Sequence, residues 1–223
     1  DYVFLDAEHG SFTPPSLVDF CIAARGVNLP TIVRVPSSGE AQRLYQTLDL
    51  GATGLLCPQT ETRAQVEFIV HSTKYFPMGQ RGMSLRNVHT FWGKYKGSDL
   101  TPKLNQETMI VLQIESKKGV DNLETMLDVP GVDAVFIGPN DMSQTLGIPG
   151  DIGHPEVVKH VDRVLEVCQK KNIPCGVHTY DTDTAKKWIG RGCRFMCLGG
   201  DMAWLQDSCQ KAVSEIREAY PKK

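Results

Sequence analysis

The chain has 223 residues, 41% hydrophobic and 22% charged, with a formal net charge of −2. That length buries a full core as one domain, at most two, and residues 1–223 read as a single domain. The near-neutral charge gives no electrostatic case for nucleic acid or an anionic membrane, and no apolar run approaches the roughly 20 residues that span a bilayer. No signal peptide is evident, because the chain opens directly on a strand-like run at residues 2–5. Seven Cys, an odd number without CxxC spacing, sit mostly inside apolar segments, as at Cys57, Cys175 and Cys197. They read as reduced core residues of a cytoplasmic protein, not as disulfides or a zinc site.

In chain order, residues 2–6 predict a strand, with Asp6-Ala-Glu-His-Gly10 as its exit loop. A helix follows over 14–25, with Thr13 as its N-cap and Gly26 as its stop. Residues 31–35 predict the next strand, with Arg34 at its end. A helix over 40–50, a strand over 54–57 and a helix over 61–74 come next. Residues 78–106 read as irregular: Gly-rich, with Arg81, Arg86, His89, Phe91, Trp92 and Tyr95. A loop that long inside a compact domain is a lid, an insertion or an interface.

The organising stretch spans 109–143. Two apolar runs, 109–112 and 134–137, are long enough for buried strands and too short for helices. Between them 117–127 reads as a helix stopped by Pro130-Gly131. A short helix over 140–146 and a long amphipathic one over 154–171 follow. A strand over 174–177 ends at His178, and a helix covers 181–190. A strand over 195–198 ends in Gly199-Gly200-Asp201, before a last helix over 202–220.

About seven strands, nearly all followed by a helix, imply a parallel sheet with helices outside it. An open doubly wound sheet and a closed eight-stranded (β/α)₈ barrel both fit. Placement favours the TIM-type barrel: Asp6, His9, Arg34, Glu115, Asp141, His178 and Asp201 all fall just after strand C-termini. In a barrel those ends converge on one mouth. The count is one strand short of eight, so the first strand and helix of the parent fold are expected to be missing from this chain.

Glu115 and Asp141 end successive parallel strands, beside Gln113 and the Gly138-Pro139 turn. Either acid alone reads equally as an N-terminal helix acid favoured by the dipole. Together they suit an octahedral divalent ion that keeps open positions for water and substrate. His9 is a proton carrier suited to neutral pH, or an ordinary loop histidine. Arg34 ends an apolar strand, so it faces the mouth or pairs structurally with Glu8 or Asp6. As a fixed guanidinium it would hold a carboxylate or a developing oxyanion. Asp49 sits in the last turn of a helix, where the dipole disfavours an acid. It therefore wants a partner, for which a histidine is one candidate. Gly199-Gly200-Asp201 would cradle a phosphate or form a tight turn with Asp201 as N-cap. His178 is a weaker mouth candidate; His89 and His71 read as structural. Arg81 and Arg86 would bind an anionic substrate tail or tie the loop to a neighbouring subunit.

With these residues in place, the chain resembles the HpcH/HpaI aldolases, class II pyruvate aldolases of the 4-hydroxy-2-oxoheptanedioate aldolase type. The stretches that carry the resemblance are Asp6-Ala-Glu-His-Gly10, Val33-Arg-Val-Pro36, Leu48-Asp-Leu-Gly51 with Leu56-Cys-Pro58, Gly79-Gln-Arg-Gly82, Gln113-Ile-Glu115 and residues 131–143. They span essentially the whole chain. The resemblance implies a modified (β/α)₈ barrel of the phosphoenolpyruvate/pyruvate type, in a homo-oligomer (trimer or hexamer) with the last helix swapped between partners. It implies that Glu115 and Asp141 ligate a divalent metal (Mg²⁺, Mn²⁺ or Co²⁺). Gln113, Gly138, Asn140 through its backbone N–H, and Asp141 would receive the pyruvate half of a 4-hydroxy-2-oxo acid. Arg34 would stabilise the enolate, His9 would be the acid/base, and Asp49 would raise its basicity. Asn140 departs from the small residue usual there. The products would be pyruvate and an aldehyde. Two rivals are a lyase acting on a CoA thioester of the malyl-CoA or citrate lyase beta type, and a non-catalytic keto-acid binding protein.

Overall fold

A computed structural model describes residues 1–221. Strands and helices alternate along the chain: β1 (Val3–Asp6), α1 (Pro14–Gly26), β2 (Thr31–Arg34), α2 (Ala41–Asp49), β3 (Gly54–Cys57), α3 (Arg63–Thr73), α4 (Gly97–Glu107), β4 (Met109–Ile114), α5 (Lys117–Met126), β5 (Ala134–Ile137), α6 (Pro139–Thr145), α7 (Pro155–Lys170), β6 (Cys175–Thr179), α8 (Thr182–Gly190), β7 (Phe195–Leu198) and α9 (Asp201–Ala219). Among the described residues the strands form one seven-stranded sheet in sequential order, every pair parallel. The sheet curls into a nearly closed barrel. β1 and β7 are not strand-paired, but Tyr2 donates its hydroxyl to the Met196 carbonyl at 2.7 Å and stacks on Phe195 at 4.9 Å. The fold is a TIM-type barrel, as the strand-end placement of the polar residues predicts.

Side-chain alternation splits the strands into two layers. Leu5, Val33, Leu55, Leu112, Ile114, Val135, Ile137 and Val177 face outward into the main core under the helices. The opposite parity, Phe4, Ile32, Leu56, Val111, Ala134, Phe136 and Phe195, fills the barrel interior. Each fully buried Leu or Ile of these layers is worth about 1.5–3 kcal/mol relative to exposure.

The predicted irregular stretch contains a helix, α4, and a single 3₁₀ turn at Val88–Thr90. Pro102 inside α4 and Gly97 at its start hide the helix from local pattern. Tertiary contacts hold it instead. Lys74, 2% exposed, donates its ammonium to the carbonyls of Asn105 and Thr108 at 2.8 and 2.5 Å, where a helix C-terminus favours a cation. Two strands run further than expected: β4 continues to Ile114, and β6 takes in His178. Gly200, not Asp201, is the N-cap of α9, so the Asp201 capping turn is not formed. α9 buries none of its residues and exposes Met202, Trp204, Leu205 and Ile216. Among the described residues, no helix is long and apolar enough to cross a membrane.

Candidate active site

The inward parity of the strands carries apolar residues at the barrel's middle and polar ones at its C-terminal mouth. On β1 the inward series runs from Phe4 to Asp6, and on β2 from Ile32 to Arg34. On β4 it runs from Val111 through Gln113 to Glu115, and on β5 from Phe136 to Gly138. Asp6 and Arg34 are register partners on adjacent strands. One alternation therefore fills the core and delivers the polar set.

A cavity of about 580 Å³ opens at this mouth, lined by Glu8, His9, Glu115 and Asp141 among others. Glu115 forms part of its floor and is 6% exposed. The Gln59 backbone N–H donates to Glu115 Oε1 at 2.7 Å, and Gln113 Nε2 donates to Oε2. Gln59 reaches that position with a left-handed φ of 53°, a cost concentrated at the site. Burial pushes the Glu115 carboxyl up to about 7; Gln59 N–H opposes this, and the charge of Asp141 adds to it. Gln113 Oε1 is buried without a partner. Gly138 caps α6, and a Cβ there would lie 2.6 Å from Glu115 Oε2. Asp141, in the first turn of α6, is exposed to the cavity.

Arg34 ends β2 beside Asp6, its register partner on β1. Asp6 accepts from its Nε at 2.9 Å and from NH2 at 2.5 Å, and Glu8 lies 3.3 Å from NH1. The structural pairing and the mouth-facing reading therefore hold together. Burial alone would raise the Asp6 carboxyl, but the Arg34 hydrogen bond and charge overcome it and hold Asp6 below the usual range. Glu8 is raised, by burial first, with the Arg34 charge opposing. His9 lies at the rim, 69% exposed, its Nε2 3.7 Å from Glu8 Oε2. Asp6 fixes the loop by accepting the backbone N–H groups of Glu8 and His9 at 3.1 and 3.2 Å.

Asp49 is not at this mouth. α2 returns the chain to the opposite edge of the sheet, so its last residue lies at the strand N-termini. There Asp49 Oδ1 meets Arg81 at 2.5 Å and His89 Nδ1 at 3.8 Å. The hydrogen-bonded partner of Asp49 is Arg81; His89 stands beside the pair without a hydrogen bond to it, and within this chain Asp49 does not bear on His9. Arg81 is committed to that buried pair and stacks on Tyr75 at 4.8 Å, so it is not offered to a substrate. His178 is held by the Gly199 carbonyl at 2.6 Å from Nε2.

The mouth also contains residues with no local signal in the sequence. Gln59, Thr60, Glu61, Gln65, Ser116, Gln144 and Thr145 line the cavity. Ser116 donates to Glu61 Oε1 at 2.7 Å and Lys118 to Oε2 at 2.9 Å, which fixes that rim and lowers the Glu61 carboxyl. Gln65 is legible only as the third residue of a capping box with Thr62.

Comparison with known proteins agrees with this geometry. The family model described as HpcH/HpaI aldolase/citrate lyase matches residues 1–207. A 5-keto-4-deoxy-D-glucarate aldolase of Klebsiella pneumoniae is 32% identical over 98% of this chain and 84% of its own length. The crystal structure of an HpcH/HpaI aldolase from Desulfitobacterium hafniense superposes with a TM-score of 0.91 at 30% identity, covering 98% of this chain and 84% of that one. The crystal structure of the citrate synthase SbnG superposes with a TM-score of 0.88 at 25% identity, covering all of this chain and 86% of that one. Together with a barrel mouth built from strand-end acids and an arginine, these matches place the chain in the HpcH/HpaI aldolase/citrate lyase family.

Proposed function

We propose that the protein is a divalent-metal-dependent class II aldolase that splits a 4-hydroxy-2-oxo acid into pyruvate and an aldehyde. The observation that carries this reading is Glu115: a buried carboxylate, raised to about 7 by burial, beside Asp141 in a cavity that His9 also lines. A cation would relieve that charge. Glu115 and Asp141 would hold Mg²⁺, Mn²⁺ or Co²⁺, with water and substrate supplying the other ligands. The bare Gly138 and the unpartnered Gln113 Oε1 fit a ligand seated against the same carboxylate.

When bound, the metal would supply Lewis acidity to the 2-oxo acid end of the substrate. His9 takes the proton of the C4 hydroxyl. As the aldehyde C=O forms, the C3–C4 bond breaks and its electron pair passes into the enolate of pyruvate. Arg34 sets a fixed positive charge against that enolate, and Asp6 and Glu8 keep its guanidinium from moving to follow it. Gln113, Gly138 and the backbone N–H of Asn140 receive the pyruvate half. Protonation of the enolate completes the reaction.

The amide and hydroxyl rim formed by Gln59, Gln65, Gln144 and Thr145 favours a hydroxylated aldehyde half. The relatives named 5-keto-4-deoxy-D-glucarate aldolase point the same way. A CoA thioester would want a basic surface, and this rim carries Glu8, Glu61 and Asp141. The unburied α9, with Trp204 and Leu205 exposed, supports a homo-oligomer, trimer or hexamer, in which a neighbour covers it. The test is pyruvate release from hydroxylated 4-hydroxy-2-oxo diacids, with Mg²⁺ or Mn²⁺ and again after EDTA. Metal-dependent release is expected. No release from folded, metal-loaded protein overturns the reading.

A further inference from the structure

Bond cleavage leaves pyruvate as an enolate whose C3 must take a proton. One imidazole of the mouth, His178, has no part in breaking the bond. On β6, Cys175 and Val177 face the outer core, so the alternate residues Gly176 and His178 face inward. Cys197, the register partner of His178 on β7, packs against the inner layer, which agrees with that parity. Register also carries His178 to the seat of the pyruvate half. Ile114, Ile137 and Val177 are register partners across β4, β5 and β6. One residue further, Glu115, Gly138 and His178 make the next row. Adjacent strands lie about 4.8 Å apart, so Glu115 and His178 flank Gly138 from its two sides. The Gly138 N–H donates to the Ile114 carbonyl at 3.1 Å, which keeps the row in register past the end of β5. Gly138 leaves the space between its neighbours open, since a Cβ there would lie 2.6 Å from Glu115 Oε2.

The imidazole is half-buried and fixed. Its Nε2 lies 2.6 Å from the Gly199 carbonyl oxygen. A carbonyl only accepts, so Nε2 carries a hydrogen. The Tyr180 ring packs on the imidazole at 4.5 Å. Nδ1 has no hydrogen-bond partner among the described residues and is not sealed from solvent. The proton that His178 gains and loses is therefore the one on Nδ1.

We propose that His178 is the acid that protonates C3 of the pyruvate enolate and, in the reverse direction, the base that removes a C3 proton from pyruvate. This role rests on the aldolase reading. The enolate C=C electron pair takes the proton from Nδ1–H, the C3–H bond forms, and the enolate oxygen returns to a ketone. The Nδ1–H electron pair stays on nitrogen. That leaves a neutral imidazole with its hydrogen on Nε2, and solvent returns the proton to Nδ1. His9 serves the C4 hydroxyl, so the two imidazoles divide the two proton transfers.

The test is exchange of the pyruvate methyl hydrogens for deuterium in D₂O, read by proton NMR with the full chain, Mg²⁺ and pyruvate alone. The unaltered protein should exchange them. His178→Gln keeps a donor for the Gly199 carbonyl but carries no exchangeable acid proton. It should slow the exchange by about 10²-fold and leave the pyruvate Kd unchanged. His9→Ala should lose cleavage of a 4-hydroxy-2-oxo acid and keep the exchange. The proposal fails if His178→Gln exchanges at the unaltered rate, or if its exchange falls only in step with weaker pyruvate binding. It fails equally if His9→Ala stops the exchange, a result that needs no His178 variant to fold. Cleavage by the unaltered protein, with exchange untouched by His178→Gln, removes His178 and leaves the aldolase reading standing. An unaltered protein that neither exchanges nor cleaves removes both.

Discussion

The two ends of the barrel treat charge in opposite ways. At the mouth, Asp6 and Glu8 pair with the Arg34 guanidinium, Glu115 and Asp141 line the cavity, and Glu115 is left buried with its carboxyl raised. At the other end, Asp49 is matched by Arg81, and the buried Lys74 ammonium is spent on two helix carbonyls. The N-terminal end therefore pairs its buried charges with groups inside the chain. The mouth leaves part of that compensation to a ligand. A residue at one end should register in stability, and a residue at the other in binding and rate.

The largest effect expected is at Glu115. Glu115→Gln should lower kcat/KM by about 10³-fold or more, through loss of several kcal/mol of transition-state stabilisation. Its metal-free melting temperature at pH 8 should stay level or rise, because an amide needs no counter-charge. A fall in both activity and stability would make Glu115 structural and erase the contrast. Next, His9→Ala should cost about 10²-fold in kcat. Calorimetric metal binding should be unchanged, since His9 sits at the rim. Retained cleavage would remove His9 as the base. At the opposite end, Asp49→Asn should cost about 3 kcal/mol in urea unfolding, because it strands the buried Arg81. A loss of kcat with unchanged unfolding would instead put Asp49 in the reacting set.

The smallest effect is the pH dependence of the metal-free protein. The Glu115 carboxyl is raised from its usual 4.5 to about 7. Below pH 4.5 both folded and unfolded states hold the proton, and its contribution to stability is fully present. As pH rises, the unfolded state ionises first, so stability falls until the folded group ionises near 7. The loss from this group is at most about 3 kcal/mol. Melting scans from pH 5 to 8 should show that decline, and Mg²⁺ or Mn²⁺ should reverse it most strongly above pH 7. A flat profile that Glu115→Gln leaves unaltered would show that its carboxyl is not strained.

Much of this molecule was legible because strand ends are legible. Short apolar runs bounded by Gly and Pro marked the strands. The first polar residue after each run is, by geometry, a mouth residue in a parallel barrel. That logic found Arg34, Glu115 and Asp141. It failed where three-dimensional contact, not local pattern, decides. α4 carries a proline and a weak start, and Lys74 and Tyr75 hold it from another segment, Lys74 at its last carbonyls and Tyr75 through the Asn105 side chain. Gln59, Gln144 and Thr145 line the cavity from ordinary loop and helix positions. Asp49 wanted a partner, as its place at a helix C-terminus implied. Which partner depended on the direction α2 runs, and that brought Arg81 and His89 instead of His9.

The alternation along β4 places Val111, Gln113 and Glu115 on one side and Leu112 and Ile114 on the other. This gives the gene a reading-frame-like constraint at the protein level. Exchanging Leu112 for Ile alters packing locally, but inserting or deleting one residue before Gln113 would turn Glu115 into the helix layer and present Ile114 to the mouth. The site should therefore tolerate substitution in its outward neighbours far better than any change in strand length.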